Sequence, residues 1–457
     1  METETMDLDG PLDFESEDLL LKTSAPTKRR NVIGLDDLVN DFLKDNKKQM
    51  KSKKAKATKS YLSDEDEDIR EARLSECVEK CQKEMRELSG EDEIHLWGLN
   101  VFGNQKTQPV LEFQKLGSCG LLESFMCNAL NSLVELDMEK GEVFLERLLV
   151  NGWLLKLVFT SGHVEKSIAM WTFGLMLYSS DEVVISSACE FWTAILSPKR
   201  KIEIEWLPNL SAVKKALEIY GFILDMPPKF SKSTETDNAD SDFGALPKSI
   251  RAWIKSVAAC FQARSAHSIF LTSEVEELLV VIICLFLDRR LLGLSTILHE
   301  CVLSAINFFT DEEWNSSCEK VASSLACSVP RDVNCLRIVE SISGVDARSK
   351  HLRRAVAFQI LVACFSDKAS DAEEILRSLI SLNVKDKSCD LFKMYIYLVL
   401  TENWLLSNPL LEERSVICEM WGVYLRNCSC QISSMDLRSY ASKVRSKASY
   451  LLQGTNK

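Results

Sequence analysis

From about Leu121 onward, apolar residues return every three or four positions, and the chain reads as helix after helix. The clearest unit is Val164 to Leu196. One predicted helix there carries Ile168, Trp171, Leu175 and Met176 on one face. After the break Ser179-Ser180-Asp181, a second carries Val184, Ala188, Phe191, Ile195 and Leu196. The pair predicts an αα-hairpin of HEAT-like size. No strict period follows it, so the pattern predicts an irregular helical repeat.

Helix starts recur with one chemistry. Ser179 and Glu182, Ser273 and Glu276, Thr310 and Glu313, and Ser370 and Glu373 all have capping-box spacing. Asn408-Pro409 predicts a further start, with proline in the first turn. Apolar spacing predicts helices over Glu274–Leu287, Leu294–Phe309, Leu352–Phe365, Asp371–Leu382, Leu391–Leu400 and Glu412–Leu425. A basic last helix carries Arg438, Lys443, Arg445 and Lys447.

Ile69 to Leu88 predicts a charged amphipathic helix, followed by a looser stretch with Trp97, Gly103 and Pro109. Residues 227–247 hold prolines at both ends and a run of Ser, Thr, Asn and Asp, and read as a flexible linker. The expected architecture is all-α: an irregular HEAT-like repeat in two helical lobes, 69–226 and 248–453, preceded by a disordered arm over 1–68. The sparing use of glycine and proline, 17 and 10 residues, fits long helices better than β-structure.

The arm carries three polar and apolar blocks. Leu35, Leu38, Val39, Phe42 and Leu43 share one helical face, with Asp36 and Asp37 in the first turn and lysines at the end. So short a helix is marginal in water and forms mainly against a partner; these five residues are the candidate docking face. Between Lys44 and Lys59 there are eight lysines against Asp45 alone. Lys47, Lys48, Lys51, Lys53, Lys54 and Lys56 are candidates for nuclear import or contact with the DNA backbone. No aromatics are interleaved, which argues against a base-stacking single-strand site. Ser63 precedes five acidic residues, a context that suits acidophilic kinases. A solvated linker and an unmodified acidic stretch are the plainer readings of these two blocks.

The net charge is −12, which disfavours general nucleic-acid binding by the chain as a whole. The 16 cysteines, without an apolar leader segment, point to a reducing compartment and buried thiols. The longest apolar run, Leu278 to Leu287, is short of the roughly 20 residues a membrane span needs. No paired Cys/His set has zinc-site spacing: Cys428-Ser429-Cys430 stands without a second pair, as do Cys77 and Cys81. Five scattered histidines form no catalytic signature, and no phosphate-binding glycine loop occurs. The tryptophans fall mostly on apolar helical faces and are expected to pack the core. No catalytic residue, metal or cofactor is expected.

The stretches Phe144-Leu145-Glu146-Arg147-Leu148-Leu149, Ile168-Ala169-Met170-Trp171-Thr172-Phe173-Gly174-Leu175-Met176 and Ala188-Cys189-Glu190-Phe191-Trp192 resemble the CANIN domain. That is the helical domain of the SMC-five/six complex localisation factor and Nse-six-type subunits. The order of Leu-Asp-Asp-Leu helix, lysine tract and acidic block resembles the family's leader too. The likeness spans about residues 35–400 and is closest to a compact plant or fungal form. It implies a non-catalytic nuclear subunit of the SMC-five/six DNA-repair complex. Such a subunit pairs with an Nse-five-like helical partner in a hetero-oligomer and contacts DNA mainly through the SMC-five/six core. It also implies that Leu35 to Leu43 contact that core. A helical-repeat scaffold outside chromatin, in transport or signalling, is the alternative, and a helical enzyme is a third.

Overall fold

Fifteen α-helices follow one another among the residues described by the structure, a computed structural model. Those residues are 97–109, 120, 138–199, 201–223, 246–365, 371–405 and 415–455. They all belong to one compact unit, Glu84–Lys457. The helices are α1 Met138–Val150, α2 Trp153–Ser161, α3 Lys166–Tyr178, α4 Glu182–Ile195, α5 Leu210–Ile219, α6 Ile250–Gln262, α7 Thr272–Leu285 and α8 Ser295–Phe308. They continue as α9 Asp311–Ser328, α10 Val333–Ser341, α11 Ala347–Cys364, α12 Ala372–Ser381, α13 Leu391–Leu405, α14 Ser415–Cys430 and α15 Ala441–Thr455. Among the described residues the strands form one parallel pair, β1 His163–Val164 on β2 Glu203–Ile204.

The all-α class is the one the apolar spacing predicts. The hairpin of α3 and α4 forms with its expected faces buried. Trp192, 1% exposed, donates its indole N–H to Thr172 Oγ1 at 3.1 Å. Its ring meets Phe173 and Trp206 edge-on, at 5.4 and 6.2 Å between centroids. Burying a polar indole edge without such a partner is costly.

Beyond the hairpin, helices stack on the next but one. α4 packs on α6 and α6 on α8; α7 packs on α9, α9 on α11, α11 on α13 and α13 on α15. Neighbouring rows of this kind are how helical repeats bury a continuous core, and one apolar cluster runs from Val101 to Leu451. Helices on the two sides of residues 227–247 share it: Trp253 of α6 donates to the Val213 carbonyl of α5 at 3.0 Å. The stretch Arg289–Phe308 is long and apolar enough to cross a membrane by length and composition. Its Leu298, Cys301, Val302, Ala305 and Ile306 are buried in this core, where α8 packs on α6 and α7.

Capping follows the predicted chemistry only in part. Thr310 and Glu313 form the full box: Glu313 N–H donates to Thr310 Oγ1 at 3.3 Å, and Thr310 N–H to Glu313 Oε2 at 2.8 Å. Elsewhere a nearer residue takes the role. Asp181, not Ser179, caps α4 by accepting from Val183 N–H. Asp371 caps α12 by accepting from Glu374 N–H; Ser370 of the predicted Ser370 and Glu373 box lies outside the described residues. At α7 the helix starts at Thr272, and Glu274 accepts from Leu271 N–H. Glu276 is left to accept from Ser317 Oγ at 2.7 Å. A carboxylate one or two residues nearer the first free amides outcompetes a more distant hydroxyl. The predicted helix start at Asn408-Pro409 lies outside the described residues.

An extended strap, residues 97–106, crosses the helical rows. Its backbone bonds the ends of two distant helices, α7 and α5: Leu99 N–H to Leu287 O at 2.8 Å, Gly103 N–H to Gly221 O at 2.8 Å, and Lys106 N–H to Ile219 O at 2.8 Å. Gly98 N–H reaches Asn334 Oδ1 at the start of α10, at 2.7 Å. Val101 and Phe102 of the strap are each 2% exposed. Gly221 is where the strap comes closest. Its φ is 86°, and a Cβ there would sit 2.6 Å from the Asn104 carbonyl oxygen. Gly221→Ala is therefore expected to lose about 1–3 kcal/mol in urea unfolding, through both positive φ and collision.

Candidate protein-interaction surfaces

The residues singled out in the leader lie outside the described residues: Leu35, Leu38, Val39, Phe42 and Leu43, Lys47, Lys48, Lys51, Lys53, Lys54 and Lys56, and Ser63. On the helical body, two grooves between stacked helices offer surfaces of a different kind.

The larger groove, about 660 Å³, lies over α9, α11 and α13. Its walls are periodic. Ser316, Glu319, Lys320 and Ser323 share a face of α9, and His351, Arg354 and Phe358 share a face of α11. Trp404 of α13 closes it, 5% exposed, with its ring 4.9 Å from Phe358. At the end of the groove, the Trp314 indole donates to His351 Nδ1 at 3.2 Å. That bond needs a lone pair on Nδ1, so it fixes a neutral ring with its proton on Nε2. Burial, and then the charge of Arg354, hold His351 below the usual histidine range, against the opposing pull of Glu319. The result is an open trough of mixed charge with an aromatic floor, suited to holding a peptide or helix edge.

The second groove, about 500 Å³, runs between α4 and α6. Glu182 and Glu190 line one wall; Lys248, Arg251 and Lys255 line the other. Lys248 Nζ stands 3.9 Å from Glu182 Oε1. Cys189 forms the floor, with its thiol on the Ala252 carbonyl at 3.8 Å. Burial pushes that thiol up to about 11, so it stays protonated and poorly nucleophilic near neutral pH.

Other candidate chemistry is spatially isolated. His299 of α8 pairs with Ser343 Oγ at 3.1 Å, and its ring lies tilted against Phe286 at 4.6 Å between centroids. Among the described residues no group of three His, Cys, Asp or Glu side chains converges as metal ligands would. Cys428 is buried and Cys430 exposed. The tryptophans mostly pack the core as their spacing predicts, with one exception: Trp153 is 55% exposed and carries Lys156 over its ring at 4.3 Å. The basic row Lys248, Arg251 and Lys255 escapes the sequence reading, although its i, i+3, i+7 spacing is the signal that would find it. The groove over α9 carries no signal of its own in the sequence, because helices far apart along the chain supply its walls.

A comparison with family models, with curated proteins and with solved structures finds no match to this chain.

Proposed function

We propose that the chain is a non-catalytic nuclear adaptor of an SMC-five/six-type DNA-repair complex, pairing with an Nse-five-like helical partner and promoting association of the complex with chromatin. The observation that carries the reading is the stacking of helices in rows that leave long, open grooves of mixed charge. Such scaffolds hold partners along a surface. The likeness of the stretches on α1, α3 and α4 to the CANIN domain supports the choice of complex. The segregated blocks of the leader sequence support the nuclear and partner-docking parts of the reading.

Affinity purification of the tagged full chain from nuclear extract, followed by mass spectrometry, tests this. SMC-five/six subunits and an Nse-five-like protein are expected to co-purify, and their absence overturns the reading. Changing Leu38 and Phe42 to Asp is expected to remove one of those contacts with no change in melting temperature. Deleting residues 44–59 is expected to leave the chain in the cytoplasm.

A further inference from the structure

Most exposed apolar side chains of the body are scattered, as on any protein surface. Met435 and Leu437 differ. They are 87% and 95% exposed and lie two residues apart in the turn between α14 and α15. The polarity of this turn is inverted, because its charged members are the sheltered ones. The side chains of Asp436 and Arg438 are only 16% and 24% exposed.

Arg438 pegs the turn in place. It bonds the Asp436 carboxylate through Nη2 at 2.7 Å and Nε at 3.1 Å. It also crosses to the turn before α13, donating to Val384 O at 2.9 Å and to Asp386 O at 2.5 Å. Within the turn, Asp436 N–H bonds Ser433 O at 3.2 Å. Tyr440, at φ 65°, leads into α15, with its ring 4.9 Å from Phe392 and 5.6 Å from Tyr395. Met435 and Leu437 thus project from a fixed tip beside three half-buried rings. Residues 383–393 and 433–447 together carry seven Lys and Arg against three Asp. Arg438 is set on Asp436, Lys393 on Asp390 and Lys447 on Glu402. The remaining Lys385, Lys387, Lys443 and Arg445 against Asp386 still make this end basic in a chain of net charge −12.

We infer that this end of the helical stack is a second protein-docking surface, whose occupant presents an apolar pocket rimmed by carboxylates. Met435 and Leu437 enter the pocket, Phe392, Tyr395 and Tyr440 extend the contact, and Lys385, Lys387 and Arg445 face the rim. Met, aromatic rings and Arg at the centre of a preformed surface are the make-up of an interface core. A lipid surface asks for no fixed shape, and it would bring its phosphates against Asp386 and Asp390. The inference rests on the adaptor reading only for the context in which the partner is sought.

Full-length wild type, M435D/L437D and K385E/K387E are compared by quantitative affinity purification from nuclear extract, with L271D as a control at another exposed leucine. The same partner is expected to fall at least about tenfold in both loop variants and to persist in L271D. With that partner purified, Kd is expected to rise about tenfold in each loop variant, and wild-type binding to weaken as salt is raised. Thermal melts are expected to be unchanged, since the substituted side chains are exposed. Equal recovery of every protein by wild type and both variants overturns the inference, whether or not SMC-five/six subunits are among them. Absence of those subunits alone overturns the adaptor reading and leaves this surface standing. Pelleting with phosphatidylserine vesicles that M435D/L437D abolishes, with protein recovery unchanged, would assign the tip to lipid and overturn the inference too.

Discussion

Asp288→Ala is expected to destabilise the chain by about 3–5 kcal/mol, the cost of leaving a sheltered charge without its partner. Asp288 is 2% exposed and sits in the turn after α7. It accepts from Val101 N–H at 3.3 Å, Arg290 N–H at 3.0 Å, Arg290 Nε at 3.0 Å and Arg290 Nη2 at 2.7 Å. Arg290 in turn donates to the Phe102 carbonyl at 2.9 Å. One carboxylate therefore joins the strap to the helical rows, and its removal strands several donors at once. Urea unfolding followed by circular dichroism gives the magnitude. Hydrogen exchange locates it: the Leu99, Val101 and Gly103 amides are expected to lose protection first. The double variant D288A/R290A is expected to cost less than the sum of the single ones, because it removes the orphaned guanidinium. A loss under about 1 kcal/mol with strap protection intact would mean that burial of Val101 and Phe102 alone holds the strap.

The contrast between hairpin and strap explains what was legible in the sequence. α3 and α4 declare themselves because nearly every residue of their buried faces is apolar, and local period is enough to find them. Other elements hide for identifiable reasons. α9 has a buried face of Trp314, Cys318, Val321 and Leu325, diluted by serines and carboxylates, so only its capping box announced it. α10 is nine residues long, too short for a period to establish itself. The strap has no period at all. Its bonds run to partners as far as 236 residues away, and Asp288 and Asn334 look like ordinary turn residues until the chain brings them to it. The grooves follow the same logic: Glu319, His351 and Trp404 are unremarkable apart and form a trough only once α9, α11 and α13 stack. In the sequence Met435 and Leu437 are two apolar residues among polar ones, with nothing to mark them as exposed. What the sequence lacks is the Arg438 peg that makes them a fixed projection.

Glu313→Ala is expected to cost about 2–4 kcal/mol at neutral pH, and the loss is expected to fade in acid. Glu313 gathers three elements at the start of α9. Its carboxylate takes both arms of Arg264 at 2.9 and 3.0 Å, Thr272 Oγ1 at 2.8 Å and Thr310 N–H at 2.8 Å. The same Arg264 donates to the Phe308 carbonyl and lies over the Phe308 ring at 4.3 Å. The end of α6, the start of α7 and the α8–α9 turn are therefore joined through one acid. Arg264 foremost, then the Thr310 amide, hold this carboxyl far below the usual range, against the opposing effect of burial. A depressed folded pKa adds stability that is complete above the unfolded value of about 4.3 and is lost as pH falls toward the folded value. The gap between wild type and Glu313→Gln is thus expected to be constant from neutral pH to about pH 5. Below about pH 4.3 it should shrink by up to about 1.4 kcal/mol per unit. Unfolding curves for the two proteins between pH 7 and pH 3 test this directly. A gap that holds its full size at pH 3 would mean that the advantage of the acid does not depend on its charge, and that contacts the amide fails to keep, not the charge facing Arg264, set the loss.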